Sequence, residues 1–240
     1  MRNVNGSKNM LGFFAAGMIA LAFAGAPVAL AQSSAGQPAK VEHKDKQDKK
    51  HEAKQDAKHA DSKHTAKVGD KAPDFSLTDT EGKEYKLSSF SGKIVVLEWF
   101  NPDCPFVQKH HVKNKTFNDL YAKYGKDVQF FAINSGAAGQ QGSGKDRNAK
   151  AKTDYGIQYP ILLDESGEVG KMYHANNTPA MYVISADGTL AYSGAIDDDS
   201  SAETPGKTNY VAKAIDELTA KKPVTTKETR PYGCNVKYSK

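Results

Sequence analysis

The run Ile94-Val-Val-Leu-Glu-Trp-Phe-Asn-Pro-Asp-Cys104-Pro-Phe-Val107 decides the fold. Its first half reads as a strand ending at Phe100, because a short apolar run bounded by turn formers fits a strand covered on both faces. Cys104 then opens a stretch whose pattern predicts a helix over 105–124. Pro105 stands at the first helical position, where its missing N–H leaves no bond unmade. A thiol at that junction faces the unpaired N–H groups and the positive end of the helix dipole, which favour thiolate over thiol. The placement suits a nucleophilic sulfur better than a packing one.

Outward from this run, strand patterns lie at 94–100, 128–134, 180–185 and 190–194, and helical patterns at 105–124, 145–155 and 208–220. In the last of these, Val211, Ile215 and Leu218 recur on one face of a helix. Ser185-Ala-Asp-Gly188 reads as a turn between two strands, with Gly where positive φ is needed. Strand, helix, strand, then hairpin and helix predict an α/β domain with a central mixed β-sheet flanked by helices.

The chain opens with Arg2 and Lys8, an apolar run from Met10 to about Val28, and Ala29-Leu30-Ala31 before Gln32. These are the parts of a secretory signal peptide over 1–31, so the expectation is a periplasmic or otherwise exported protein with no stable membrane insertion after cleavage. An uncleaved anchor is the other reading, disfavoured by the Ala- and Gly-rich composition and Pro27. Residues 32–66 are rich in Lys, His, Asp, Gln and Ala, with Val41 the only large aliphatic residue. Such a segment cannot bury enough apolar surface to offset chain entropy and is expected to be a disordered tether. Its histidines, His43, His51, His59 and His64, suggest weak metal capture, but mixed-sign charge runs are usually solvated spacers. The folded domain is expected over 67–240. A formal net charge of +5, with 33 basic and 28 acidic residues, is too weak to suggest a nucleic-acid partner.

Four segments resemble the alkyl hydroperoxide reductase C/thiol-specific antioxidant (peroxiredoxin-like, redoxin) family of the thioredoxin superfamily. Val68-Gly-Asp-Lys-Ala-Pro-Asp-Phe-Ser-Leu77 resembles its entry segment, and Lys93–Phe100 with Cys104-Pro-Phe-Val its central strand and redox cysteine. Thr178-Pro179 and the residues after it resemble the cis-proline loop and hairpin. Arg230-Pro-Tyr-Gly-Cys234 resembles the tail cysteine of a peroxiredoxin-like subgroup. The resemblance implies a thioredoxin-like fold and thiol redox chemistry without metal or organic cofactor. It differs from the thioredoxin Cys-x-x-Cys pattern, having Asn101 at the first position. It also differs from the peroxiredoxin Pro-x-x-x-Thr-x-x-Cys pattern, where Leu97 and Asn101 stand at the Pro and Thr positions. Peroxiredoxins also place an arginine beside the thiolate, for which only Arg147 and Arg230 are present beyond the leader.

With just two cysteines in an exported chain, Cys104 and Cys234 are candidates to pair. A permanent staple would close a long loop and stabilise by about 4–5 kcal/mol on a chain-entropy account. A redox pair is the alternative that the position of Cys104 favours. The expected mechanism has Cys104 attack a peroxide or a protein disulfide and Cys234 resolve the product, with an external dithiol as reductant. Asn101, Thr178 and Pro179 are expected to hold the substrate. A disulfide reductase or transfer protein of the cell envelope, or a non-catalytic binding module, are the competing functions. His110 and His111 are expected to be solvated or structural, and His174 could approach the site. Gly139-Gln-Gln-Gly-Ser-Gly144-Lys145 matches G-x-x-x-x-G-K but continues with Asp146 instead of Ser or Thr, so a flexible surface loop is expected there. Asp197, Asp198 and Asp199 read as a solvated turn.

Overall fold

The computed structural model describes residues 65–240, so the leader, His43, His51, His59, His64 and nearly all of the tether lie outside the described residues. The central element is strand β3 (Ile94–Trp99), buried from Val95 onward. Val95, Leu97 and Trp99 pack on one face with Phe131, Ile133 and Tyr182, while Val96 and Phe100 pack on the other with Phe130, Val183 and Ile215. A strand covered on both faces needs the near-continuous apolar run its sequence shows. The remaining strands are β1 (Ser76–Asp79), β2 (Glu84–Lys86), β4 (Val128–Asn134), β5 (Ile161–Leu163), β6 (Asn177–Thr178), β7 (Ala180–Ile184), β8 (Leu190–Gly194) and β9 (Cys234–Asn235). The helices are α1 (Pro105–Gln108), α2 (Thr116–Tyr124), α3 (Lys145–Asp154), α4 (Glu168–Met172) and α5 (Tyr210–Thr219).

Seven strands form one mixed sheet in the order β2-β1-β5-β4-β3-β7-β8. β3 runs parallel to β4, from Ile94 opposite Val128 to Trp99 opposite Ile133, and antiparallel to β7, with Trp99 opposite Ala180. The β7–β8 hairpin turns through Gly188 at φ 85°, in the left-handed region where Gly is tolerated. A separate two-stranded pair joins β6 to β9. This is a thioredoxin-like fold.

One sequence expectation is corrected. The predicted helix over 105–124 is three pieces: α1, a π turn over Lys109–Lys113, and α2. Asn114 N–H donates to Lys109 O at 3.0 Å, an i→i+5 bond, and the Asn114 side-chain amide donates to the same oxygen. Lys115 then adopts φ 53°, left-handed, before α2 begins. The cause is local. Lys109, His110 and His111 are consecutive and all buried, and side chains about 100° apart on an α-helix cannot share one face. The chain is therefore packed on several sides at once, and the widened turn accommodates it.

α5 seals the Cys104 face. Asn209 caps it through Oδ1, which accepts from Ala212 N–H at 2.8 Å, and Val211, Ala214 and Ile215 are buried beneath it. Ile215→Ala should therefore destabilise the reduced protein by about 2–4 kcal/mol. Urea unfolding followed by the fluorescence of the single tryptophan, Trp99, measures this.

Candidate active site

Cys104 occupies the N-cap of α1 with extended backbone geometry, and the residue is 1% exposed. No α1 N–H bonds to the sulfur. Instead the thiol donates to the backbone carbonyl of Thr178 at 3.1 Å. Thr178 precedes Pro179 through a cis peptide bond and forms β6 with Asn177. Opposite Thr178 in the antiparallel β6–β9 register stands Cys234. One residue therefore touches both cysteines, which lie 130 positions apart in the chain.

The two thiols also interact with each other. Burial, then a hydrogen bond to Cys104 and the charge on its sulfur, push the Cys234 thiol up to about 12, with Lys237 acting in the opposite direction. Both cysteines are reduced in this structure.

The geometry also settles how the missing Cys-x-x-Cys partner should be counted. With Cys104 at the N-cap, the helix residue that faces it is the third, Val107, and not Asn101 three positions before it in the loop. Val107 is fully buried among apolar side chains. The sulfur that lies beside Cys104 is that of Cys234, on the tail.

The tail reaches the site as an ordered strap. Thr229 N–H donates to Ser193 O and Thr229 Oγ1 accepts from Ala195 N–H at 2.8 Å, fixing the strap to the end of β8. Asn177 Nδ2 donates to Gly233 O at 3.3 Å, and Val236 N–H to Asn176 O at 3.0 Å. Beyond Cys234, Ala137 N–H donates to Lys237 O, and Tyr238 O–H donates to Ala175 O at 2.7 Å. Gly233 adopts φ 121°, and a Cβ there would lie 2.1 Å from Thr178 O, so only Gly permits the approach.

Asn101 is brought near but its side chain is engaged elsewhere. Oδ1 accepts from Asp103 N–H at 2.9 Å and Nδ2 donates to Gln141 O at 3.1 Å. It fastens the loop before Cys104 to the Gly-rich segment. That segment is not the free loop expected, because Asn134 and Asn148 side chains bind Gly142 O and Asn148 also binds Gly144 O. Arg147 grips Asp103, the residue before Cys104, through two nitrogens. His174 is exposed, at φ 53°.

Two buried polar groups escaped the sequence reading. Asp197, expected in a solvated turn, is 3% exposed and accepts from the Tyr232 hydroxyl, with Lys109 Nζ at 3.7 Å. His110 Nε2 also contacts the Tyr232 hydroxyl, at 2.9 Å. The partners are distant in sequence, so no local pattern announces them. Glu98 lies on the Cys104 side of β3 and is paired to His111 Nε2 at 2.9 Å, with Tyr159 O–H donating at 3.2 Å. A carboxylate inside the apolar run of β3 was the available signal for this second group.

Burial lowers the His110 pKa to about 4, Asp197 opposing and Lys109 and His111 reinforcing, with Asp199 a smaller opposing charge. The folded state thus holds His110 neutral while the unfolded chain protonates it near 6.5. Stability from this group is present above about pH 6.5 and is lost as pH falls towards 4. Urea midpoints compared at pH 7 and pH 5 should fall more for the wild type than for His110→Gln.

A sequence model of the Redoxin family matches residues 67–211, ending before the Cys234 tail. The thiol-disulfide oxidoreductase ResA of Bacillus thuringiensis subsp. konkukian is 31% identical over 127 residues, covering 51% of this chain and 66% of its own length. ResA of Geobacillus kaustophilus is 31% identical over 124 residues with the same coverage, so the chain spans just under two thirds of these relatives' length. Among solved structures, an uncharacterised conserved protein from Geobacillus kaustophilus is similar at a TM-score of 0.64 and 32% identity, covering 72% of this chain and 93% of that one. A hypothetical protein from Sinorhizobium meliloti is similar at 0.62 and 28%, covering 73% and 96%.

Proposed function

The chain belongs to the redoxin family, and from that premise we propose that it is a thiol-disulfide oxidoreductase whose working pair is Cys104 and Cys234. The observation that carries the reading is the meeting of both cysteines at Thr178, the Cys104 thiol on its carbonyl and Cys234 opposite it in the β6–β9 ladder. Cys104 thiolate attacks one sulfur of a substrate disulfide, forming a mixed disulfide and releasing the other sulfur as thiolate. Cys234, once deprotonated, attacks Cys104 Sγ and releases the second substrate thiolate. The substrate gains two electrons, which the protein gives up as its two thiols become a Cys104–Cys234 disulfide. An external dithiol returns it to the reduced state.

The charge on Cys104 is one cause of the raised Cys234 pKa, and it disappears when Cys104 enters the mixed disulfide. Burial, the largest cause, remains, so forming the mixed disulfide eases the deprotonation of Cys234 only in part. Thr178 and Pro179 supply the backbone edge beside the sulfur, while Asn101 acts by shaping the loop.

A protein disulfide is favoured over peroxide as substrate. The ResA relatives are thiol-disulfide oxidoreductases by name. The family's peroxide-binding threonine is replaced by an asparagine whose amide is bonded to backbone. The leader-like residues 1–31 support an exported setting, where disulfide substrates persist.

Reduced Cys234→Ser incubated with insulin as disulfide probe should accumulate a covalent adduct by non-reducing mass analysis. Cys104→Ser should give none, and the wild type should release reduced insulin while losing two hydrogens. Absence of the adduct in Cys234→Ser would sink the reading, and sulfenic acid formed faster from peroxide than adduct from insulin would transfer it to peroxide chemistry.

A further inference from the structure

Three buried ionisable side chains near the site share one tenant. Lys109 and His110 on the π turn and Asp197 beyond β8 are all buried, and all three meet at the hydroxyl of Tyr232. The hydroxyl donates to Asp197 Oδ1, lies 2.9 Å from His110 Nε2, and accepts from Lys109 Nζ at 3.3 Å. With His110 Nε2 as donor and Nδ1 accepting from Thr116 Oγ1, the phenol uses its one proton and both lone pairs. The Lys109 ammonium also sits 4.9 Å from the Tyr232 ring centroid, and the Phe106 ring of α1 lies at 6.0 Å. Among the described residues, none of the three ionisable groups is hydrogen-bonded to either sulfur, so the exchange chemistry does not account for them.

The position of this socket in the chain does. Tyr232 is separated from Cys234 by Gly233 alone, whose left-handed backbone allows the close pass over Thr178. Both Tyr232 and Cys234 pack against the core cluster that contains Cys104. A recess of about 600 Å³ beside the ring, lined by Asn177, Asp197, Tyr210 and Arg230 among others, gives the ring somewhere to go.

We propose that Tyr232 is a latch that sets the position of the resolving cysteine. Seated in the Lys109–His110–Asp197 socket, it holds Cys234 at Cys104 and keeps Cys104 from solvent. Unseated, it frees the strap so that a substrate disulfide reaches Cys104 and an outside dithiol reaches the Cys104–Cys234 bond. Tyr232 is thus a positioning residue, and its role in turnover rests on the thiol-disulfide reading given above.

The test uses the full chain. In a Cys234→Ser background, where Cys104 is the single thiol, its alkylation by iodoacetamide is timed under native conditions. Adding Tyr232→Phe removes hydrogen bonds to charged partners and should speed alkylation about ten- to a hundredfold. Tyr238→Phe, which removes another anchoring hydroxyl of the strap, should speed it by less than about threefold, its lost bond being to a neutral carbonyl. With both cysteines present, Tyr232→Phe should lower the equilibrium constant of the Cys104–Cys234 disulfide against dithiothreitol by about the same ten- to a hundredfold, because the two thiols lose effective concentration. If Tyr232→Phe proves unfolded by Trp99 fluorescence, Asp197→Asn opens the socket from its other wall and should give the same acceleration.

An alkylation rate unchanged by the socket variant, or raised equally by Tyr238→Phe, overturns the latch. Iodoacetamide needs no disulfide substrate, so this result is separable from the insulin adduct. A failed adduct with accelerated alkylation removes the enzyme reading and leaves the latch, and the reverse pattern removes the latch alone.

Discussion

The main chain of Thr178 is the constraint on which the site depends. Its carbonyl accepts the Cys104 thiol, and its antiparallel partner is Cys234. The sheet delivers it there. Trp99 at the end of β3 pairs with Ala180 at the start of β7, so the Thr178-Pro179 segment falls beside the loop that carries Cys104. A sulfur placed on a helix N-cap and a carbonyl placed by an antiparallel strand are both fixed by rigid elements. The second sulfur is not, because it arrives on a strap held by hydrogen bonds and one half-buried tyrosine. That division suits a pair in which one thiol must stay still and the other must come and go.

The polar groups buried around this assembly are costly unless partnered. Tyr232, Asp197, His110 and Lys109 meet that requirement together, each covering what the others expose. Glu98 and His111 do so less completely, since His111 Nδ1 has no hydrogen-bond partner among the described residues. Both networks lie on the Cys104 side of the sheet, and only the first touches the strap. The family match ends at residue 211, so Tyr232 and Cys234 on the strap lie outside the matched segment, while Lys109, His110 and Asp197 that receive Tyr232 lie within it.

What was legible in the sequence follows from how each element is stabilised. β3, β4, β7 and β8 carry their own apolar patterns, and their spans were readable to within a residue or so. β5, β6 and β9, at two or three residues each, have no period of their own and exist through pairing. The break in the 105–124 helix was hidden because its cause, burial of Lys109, His110 and His111 together, lies in partners supplied by β3 and the tail. Cys104 could be singled out from its strand–helix junction alone. Its distance to Cys234 could not, because it is set by a two-residue ladder closing 56 positions of chain. Asp197 looked like solvent-facing charge for the same reason: its tenant is Tyr232, 35 residues on.

The most direct measurement is a redox titration of the wild-type protein in dithiothreitol buffers, with thiols quenched by alkylation and the products mapped by mass spectrometry. The account predicts a single two-electron transition in which a Cys104–Cys234 linked peptide replaces both alkylated peptides together. Independent oxidation of the two cysteines, or a linked peptide that no dithiothreitol concentration opens under native conditions, would contradict it.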